Sequence, residues 1–167
     1  KIDTNIPEWL RKDILKFFGK KKFLEISKQI TKEPYLDLNF KENTFKKKNW
    51  SKIFNGKIIL DNMIRLKNDG QVEKLPFFQN GSWWVQGVAA SLPVRLINNF
   101  FKNKTKENIS VLDIGAAPGG KTFQLLDKHY NLTSLEISPK RIQRLKDNLI
   151  RLNLKTKIIQ ADILDWK

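Results

Sequence analysis

The sequence predicts an α/β protein: an incomplete doubly wound parallel sheet, strands in spatial order 3-2-1, preceded by a small α+β module. Three observations predict it. The run Val111-Leu112-Asp113-Ile114 has no helical period and ends at a glycine-rich turn that opens a helix. Two more short strands, Leu132-Thr133-Ser134-Leu135-Glu136 and Lys157-Ile158-Ile159-Gln160-Ala161, follow with helical segments between them. Right-handed crossovers make such strands parallel neighbours. Upstream, short helix and strand signals alternate, which reads as a separate mixed module. The division is expected at 1–80 for the module and 81–167 for the half sheet.

Composition narrows the chemistry. The chain has 167 residues, 40% of them hydrophobic, enough for a core. No apolar run approaches the roughly 20 residues of a membrane span, and no signal-peptide pattern opens the chain. Cysteine is absent, which excludes disulfides, thiolate metal sites and a cysteine nucleophile among these residues. His129 is the single histidine, so histidine metal sites and Ser-His-Asp triads are excluded too. These features suit a soluble, cytoplasmic protein. The net charge is +15, from 32 basic and 17 acidic residues, and it divides almost evenly between the halves. That balance points to a nucleic-acid partner, against the alternative of scattered, solvated lysines.

Taken in order, residues 1–19 read as a helix with Pro7 in its first turn and Gly19 just past its end. Trp9, Leu10, Ile14, Phe17 and Phe18 form its apolar stripe. A second short helix carries Phe23, Ile26 and Ile30 on one face. Pro34 opens a half-buried strand in which Leu36, Leu38 and Phe40 point one way. A helix spans Thr44 to Phe54 and stops at Gly56. Ile58–Leu60 and Met63–Leu66 are short strands, and Asn68-Asp69-Gly70 and Asn80-Gly81 are turns. Core packing is the expectation for Trp9, Phe17, Phe18 and Trp50. The lysines Lys46-Lys47-Lys48 suit phosphates or water equally.

The strand Ser82-Trp83-Trp84-Val85-Gln86 comes next. Its tryptophans could stack on bases, yet neighbouring strand residues face opposite ways, so at least one belongs to a core. From Val88 to Phe101 the period is helical, with Leu92, Leu96, Ile97 and Phe100 offered to a sheet. After Pro139, Ile142, Leu145, Leu149 and Leu152 recur at helical spacing, a strongly amphipathic helix. The first of the three parallel strands is left with an unpaired flank. That flank, and the end of the sequence just after the third strand, suggest a fragment of a larger domain.

The turn Gly115-Ala116-Ala117-Pro118-Gly119-Gly120-Lys121-Thr122 is the centre of the chemistry. A strand feeding a glycine turn aims backbone N–H groups and a helix N-terminus at a polar or anionic ligand. Two ligands compete. The letters satisfy the P-loop pattern G-x-x-x-x-G-K-[ST], with Lys121 on phosphates and Thr122 on magnesium. The other reading is a nucleoside cofactor, with a carboxylate at the end of the next strand holding the ribose. Glu136 stands there, and Asp162 follows the third strand, also at the carboxyl edge. A carboxylate repels a triphosphate but suits a ribose diol. Turn, Glu136 and Asp162 together describe an S-adenosylmethionine pocket, in an incomplete Rossmann-like methyltransferase sheet.

These residues resemble the RNA cytosine-5 methyltransferases of the RsmB/Sun/NSun group. Asp113-Ile114-Gly115-Ala116-Ala117-Pro118-Gly119-Gly120-Lys121-Thr122 is close to that family's Asp-Leu-Cys-Ala-Ala-Pro-Gly-Gly-Lys-Thr. The likeness continues through Glu136-Ile137-Ser138-Pro139-Lys140-Arg141 and Asp147-Asn148-Leu149 to Asp162. Upstream, Val85-Gln86 with Ala90-Ser91, Pro7-Glu8-Trp9-Leu10 and Leu36 to Asn39 are similar to family segments, the last two to the start of its RNA-binding module. Gly115 replaces the usual Cys, Gly87 the usual Asp, and Asp37 a frequent Arg.

The resemblance implies that Gly115, Ala116, Ala117, Pro118, Gly119, Gly120 and Lys121 wrap the methionine end of S-adenosylmethionine. It implies that Glu136 holds the ribose and Asp162 the adenine amine. The implied product is 5-methylcytosine in RNA, ribosomal RNA above all. In that chemistry a Cys thiolate adds to cytosine carbon 6, the enamine takes the methyl group, and a base removes the carbon-5 proton. The target base is unstacked and read in a pocket. The family's cysteine motifs lie beyond the third strand, so this chain holds no catalytic residue and is expected to be inactive alone. The alternatives are a methyltransferase acting on another nucleobase nitrogen or on protein, a non-catalytic RNA-binding module, and a P-loop NTPase.

Overall fold

The computed structural model describes residues 6–30, 32–67 and 71–166; the turn read at Asn68-Asp69-Gly70 lies outside them. The chain divides into two compact units, one ending at Pro34 and the other beginning at Tyr35. In the first, α1 (Glu8–Ile30) is broken at Gly19, whose φ of 73° and ψ of 172° are non-helical. The two-helix reading therefore describes it. Ile6, Ile14 and Phe23 form a small cluster with Leu10, Leu24 and Ile26. Trp9, Phe17 and Phe18 do not join it: they are 68%, 71% and 61% exposed, against the core packing expected of them. A helix pair has one inward stripe, and Ile14 with Phe23 fills it.

The second unit opens with a four-stranded antiparallel sheet. Its elements are β1 (Leu36–Phe40), α2 (Glu42–Phe45), α3 (Trp50–Phe54), β2 (Lys57–Leu60), β3 (Met63–Leu66) and β4 (Trp83–Val85). The order across the sheet is β2-β3-β1-β4. The single helix expected over Thr44–Phe54 is two short ones. The Asn49 side chain accepts from Lys52 N–H to start the second, and Asn55 ends it in the left-handed region. Trp50 is buried among Leu38, Phe40, Ile64, Leu66 and Trp83, as expected of it.

The parallel sheet follows: α4 (Val88–Phe100), β5 (Ser110–Ile114), α5 (Gly120–Asp127), β6 (Asn131–Glu136), α6 (Pro139–Arg151) and β7 (Lys157–Gln160). β6 lies between β5 and β7, both parallel to it, which is the 3-2-1 order read from the sequence. Ser138 caps α6 by accepting from Arg141 N–H, and Ile142, Leu145, Leu149 and Leu152 are all buried. On α4 the buried positions are Ser91 and Val94, with Ile97 and Phe101 packed nearby. Leu92, Leu96 and Phe100, offered to the sheet by the sequence reading, are exposed instead.

β4 joins the two sheets. Its alternation sends Trp83 into the aromatic core of the antiparallel sheet and Trp84 into the core of Ala116, Ala117, Phe123, Leu145 and Leu149. Both indoles are essentially inaccessible, at 0% and 1%, so neither is a platform for base stacking. The same alternation explains why residues 35–166 pack as one unit: a cut at 80/81 separates β4 from β1, to which it is paired.

Candidate functional site

The register Ile114↔Leu135 and Glu136↔Gln160 brings the carboxyl ends of β5, β6 and β7 level. Gly115, Glu136 and Asp162 therefore stand along one edge of the sheet, where ligands bind in open α/β sheets. The turn between β5 and α5 runs through a cis Ala117–Pro118 bond. Gly115 and Ala116 donate their N–H groups to the Leu135 carbonyl at 2.9 and 3.1 Å, and Ala117 donates to Glu136 Oε2 at 3.3 Å. These donors face β6 rather than a ligand, unlike the sequence expectation. The N–H groups that an α-helix leaves unpaired at its start, here those of Gly120, Lys121 and Thr122, are the ones left to meet an incoming group.

The glycines are needed for different reasons. Gly115 has φ of 67° with open space around it, so only its backbone conformation selects glycine. Gly119 has φ of 118°, and a Cβ there would lie 2.0 Å from the Phe123 ring. Gly120 is not crowded, because its Cβ would make ordinary contact 3.4 Å from Gln86 Cγ. Ala116 and Ala117 are buried in the core beneath the turn, while Pro118 and Lys121 are exposed.

Glu136 is 1% exposed. Besides Ala117, it accepts from Ser138 N–H at 3.1 Å and lies 3.4 Å from the Arg141 guanidinium, which also donates to the Ala117 carbonyl. Arg141 thus ties the turn to the end of β6. Asp162 accepts from Leu164 N–H at 3.0 Å and its carbonyl takes the N–H groups of Asp165 and Trp166, so it organises the turn after β7.

Thr122 is fully buried and donates to Asp113 Oδ2 at 2.6 Å. A hydroxyl held that way does not project toward a magnesium ion, which removes the structural basis of the P-loop reading. Burial holds the Asp113 carboxyl above the ordinary aspartate range, with the Thr122 hydroxyl and the Lys121 charge acting the other way. An acid with a raised folded pKa binds its proton more tightly folded than unfolded. It therefore loses stability as pH rises from the unfolded value, 3.8, through the raised folded value. Asp113→Asn is expected to raise Tm at pH 7, with the gain vanishing below pH 3.8. Calorimetry across that range checks it; a lowered Tm at pH 7 contradicts it.

Two residues of the site had no role in the sequence reading. Arg141 is one; in sequence it stands only as the end of the family-like segment that starts at Glu136, a basic residue in the first turn of the next helix. Gln86 is the other. It is buried, accepts from Asn39 Nδ2 at 2.8 Å and Trp84 Nε1 at 2.9 Å, and donates to Gln124 Oε1 at 2.6 Å. It joins the antiparallel sheet to α5, against Gly120, and nothing in the local pattern of Trp83 to Gln86 announces such a junction.

The family model "16S rRNA methyltransferase RsmB/F" matches residues 101–167. The chain is 35% identical over 101 residues to "Ribosomal RNA small subunit methyltransferase B" of Vibrio vulnificus, covering 59% of this chain and 22% of that protein. A protein of the same name from Enterobacter sp. is 27% identical over 165 residues, covering 93% of this chain and 37% of its own length. Among solved structures, NSun6 from Pyrococcus horikoshii with SFG superposes with a TM-score of 0.74 at 16% identity. That match covers 93% of this chain and 65% of that one and concerns the fold. The chain is thus similar to rRNA methyltransferases of the RsmB/F type, and it spans a minority of the length of the curated relatives it matches.

Proposed function

We propose that the chain is part of an S-adenosylmethionine-dependent RNA methyltransferase of the cytoplasm that forms 5-methylcytosine, with ribosomal RNA as the substrate. Residues 81–167 supply the cofactor-binding part, and residues 1–80 contribute RNA contacts. The observation that carries the reading is the buried carboxylate of Glu136 beside the Gly115–Lys121 turn. When bound, S-adenosylmethionine supplies an electrophilic methyl group.

The residues present fit that cofactor. A carboxylate has about four acceptor positions, and Glu136 receives Ala117, Ser138 and Arg141, which leaves room for a ribose hydroxyl. Arg141, half exposed at 49%, is the neighbour able to swing aside and admit it. The first turn of α5 presents N–H donors and a positive dipole end to a carboxylate such as that of the methionine moiety. Asp162 offers an acceptor to an adenine amine. The cysteine nucleophile of this chemistry is not among these residues, so the proposed role is to hold the methyl donor and help hold the RNA.

Titration calorimetry with S-adenosylmethionine tests this. Binding by the chain is expected, weakened about 10- to 100-fold by Glu136→Gln, the worth of one or two charge-assisted hydrogen bonds. Equal affinity in the variant, or saturable magnesium-dependent ATP binding, overturns the reading.

A further inference from the structure

A cleft of about 690 Å³ opens in the second unit, lined by α4, by α2 and Lys46 after it, by Asp61 and Asn62 between β2 and β3, by Trp84 of β4 and by the C-terminal half of α5. The proposed cofactor edge is elsewhere, at the opposite end of α5. The volume lies within the range of about 300–1,000 Å³ typical of small-ligand sites. One face of α4 supplies its wall, through Arg95, Asn98 and Asn99, and Lys102 continues that face just past the helix end. Their spacing (i, i+3, i+4, i+7) places them on one stripe.

Two groups in this wall lack the partners their burial calls for. The Arg95 guanidinium is half-buried and forms no ion pair among the described residues; it donates to Asn62 Oδ1 at 2.6 Å and Ser91 Oγ at 3.4 Å. Burial lowers its pKa, and Asp61 acts on it only from beyond ion-pair distance. One turn on, Asn98 Oδ1 is buried with no hydrogen-bond donor. A half-buried cation with no ion pair among the described residues and a buried acceptor without a donor are each costly. Together they describe a ligand with an anionic group and a nearby hydroxyl or amine.

The charges around the cleft favour an anion. Of its three carboxylates, Glu42 is engaged by Lys128, Asp127 accepts from Glu42 N–H at 3.0 Å, and Asp61 lies beyond ion-pair distance of Arg95, against four cations, Lys46, Arg95, Lys102 and Lys128. Lys46 and Lys102 are exposed on the rim. Phe45 supplies an apolar edge of the lining.

We propose that this cleft is a second nucleotide site, in which Arg95 and Lys102 take the phosphate and Asn98 accepts from the sugar or base. The shared chemistry is a ribonucleoside phosphate, either one unit of an RNA strand or a free nucleotide. The RNA form rests on the function proposed above.

The test measures a fluorescently labelled short single-stranded RNA by anisotropy and 5′-AMP by calorimetry, each against the intact chain, Arg95→Met and Lys102→Glu. Lys102 is exposed, so that variant keeps the fold even if Arg95→Met does not. RNA affinity is expected to fall about tenfold in each variant, and the salt slope of binding by about one. S-adenosylmethionine affinity is expected to stay unchanged. Loss confined to AMP supports the site with a free nucleotide as its ligand. Binding of both RNA and AMP that both variants leave unchanged overturns the cleft while the RNA-methyltransferase reading stands. Failure of the intact chain to bind either ligand overturns the cleft and removes the RNA reading with it.

Discussion

Gly119→Ala is expected to destabilise the chain by about 3–5 kcal/mol, the sum of backbone strain and core overpacking. At φ of 118° an L side chain is strained wherever it points. Here it also points into the Phe123 ring, with 2.0, 2.4 and 2.7 Å to three ring atoms. Phe123 has nowhere to go: it is 2% exposed and stands edge-on to Trp84 at 5.9 Å. The ring either displaces the tryptophan or forces the turn out of shape, and the second outcome also costs cofactor binding. Urea unfolding followed by tryptophan fluorescence reads the loss directly. Gly120→Ala is the control, since its Cβ meets Gln86 at ordinary contact distance and should change stability little. Equal, small effects in the two variants would mean that the turn relaxes freely.

Asp37→Ala is the second large effect, expected to cost about 3 kcal/mol by leaving a charge and a helix N–H without their partner. Asp37 is 5% exposed and binds Arg65 through both oxygens, at 2.7 and 2.9 Å. It also accepts from Val88 N–H at 3.1 Å, in the first turn of α4. One carboxylate thus pairs two strands and caps a helix. Arg65 stays partly solvated over Tyr35, at 4.9 Å from the ring, which keeps the cost at the lower end for a buried pair. Thermal unfolding of Asp37→Ala, Arg65→Ala and the double variant separates the pair from the cap. If the cap matters, Asp37→Ala is the more damaging single change. Equal losses in the two single variants would assign the whole effect to the ion pair.

Asp37 also shows how a residue that departs from a family pattern is read. In sequence it is a carboxylate where a basic residue is common. In the fold its position on β1 opposite Arg65 makes it structural, a pairing created by antiparallel register and invisible to spacing along the chain.

What the sequence determined by itself was local. Short apolar runs, a 3.6-residue repeat and glycine or proline punctuation specify β5, β6, β7 and α6, because each depends on neighbours within a few residues. The parallel 3-2-1 order followed from crossover handedness, and the alignment of Gly115, Glu136 and Asp162 followed from that order. The tertiary structure decided which apolar side chains are inside. Trp9, Phe17, Phe18, Leu92, Leu96 and Phe100 carry the same letters as core residues, but burial depends on what stands opposite, and these are exposed. It likewise decided that Trp83 and Trp84 fill two cores across one strand, that the N–H groups of Gly115 to Ala117 turn toward β6, and that Arg141 lies against Glu136. It also left Arg95 in a cleft with no ion pair among the described residues. Each is set by contacts between segments far apart in the chain, which a periodicity read along it does not contain.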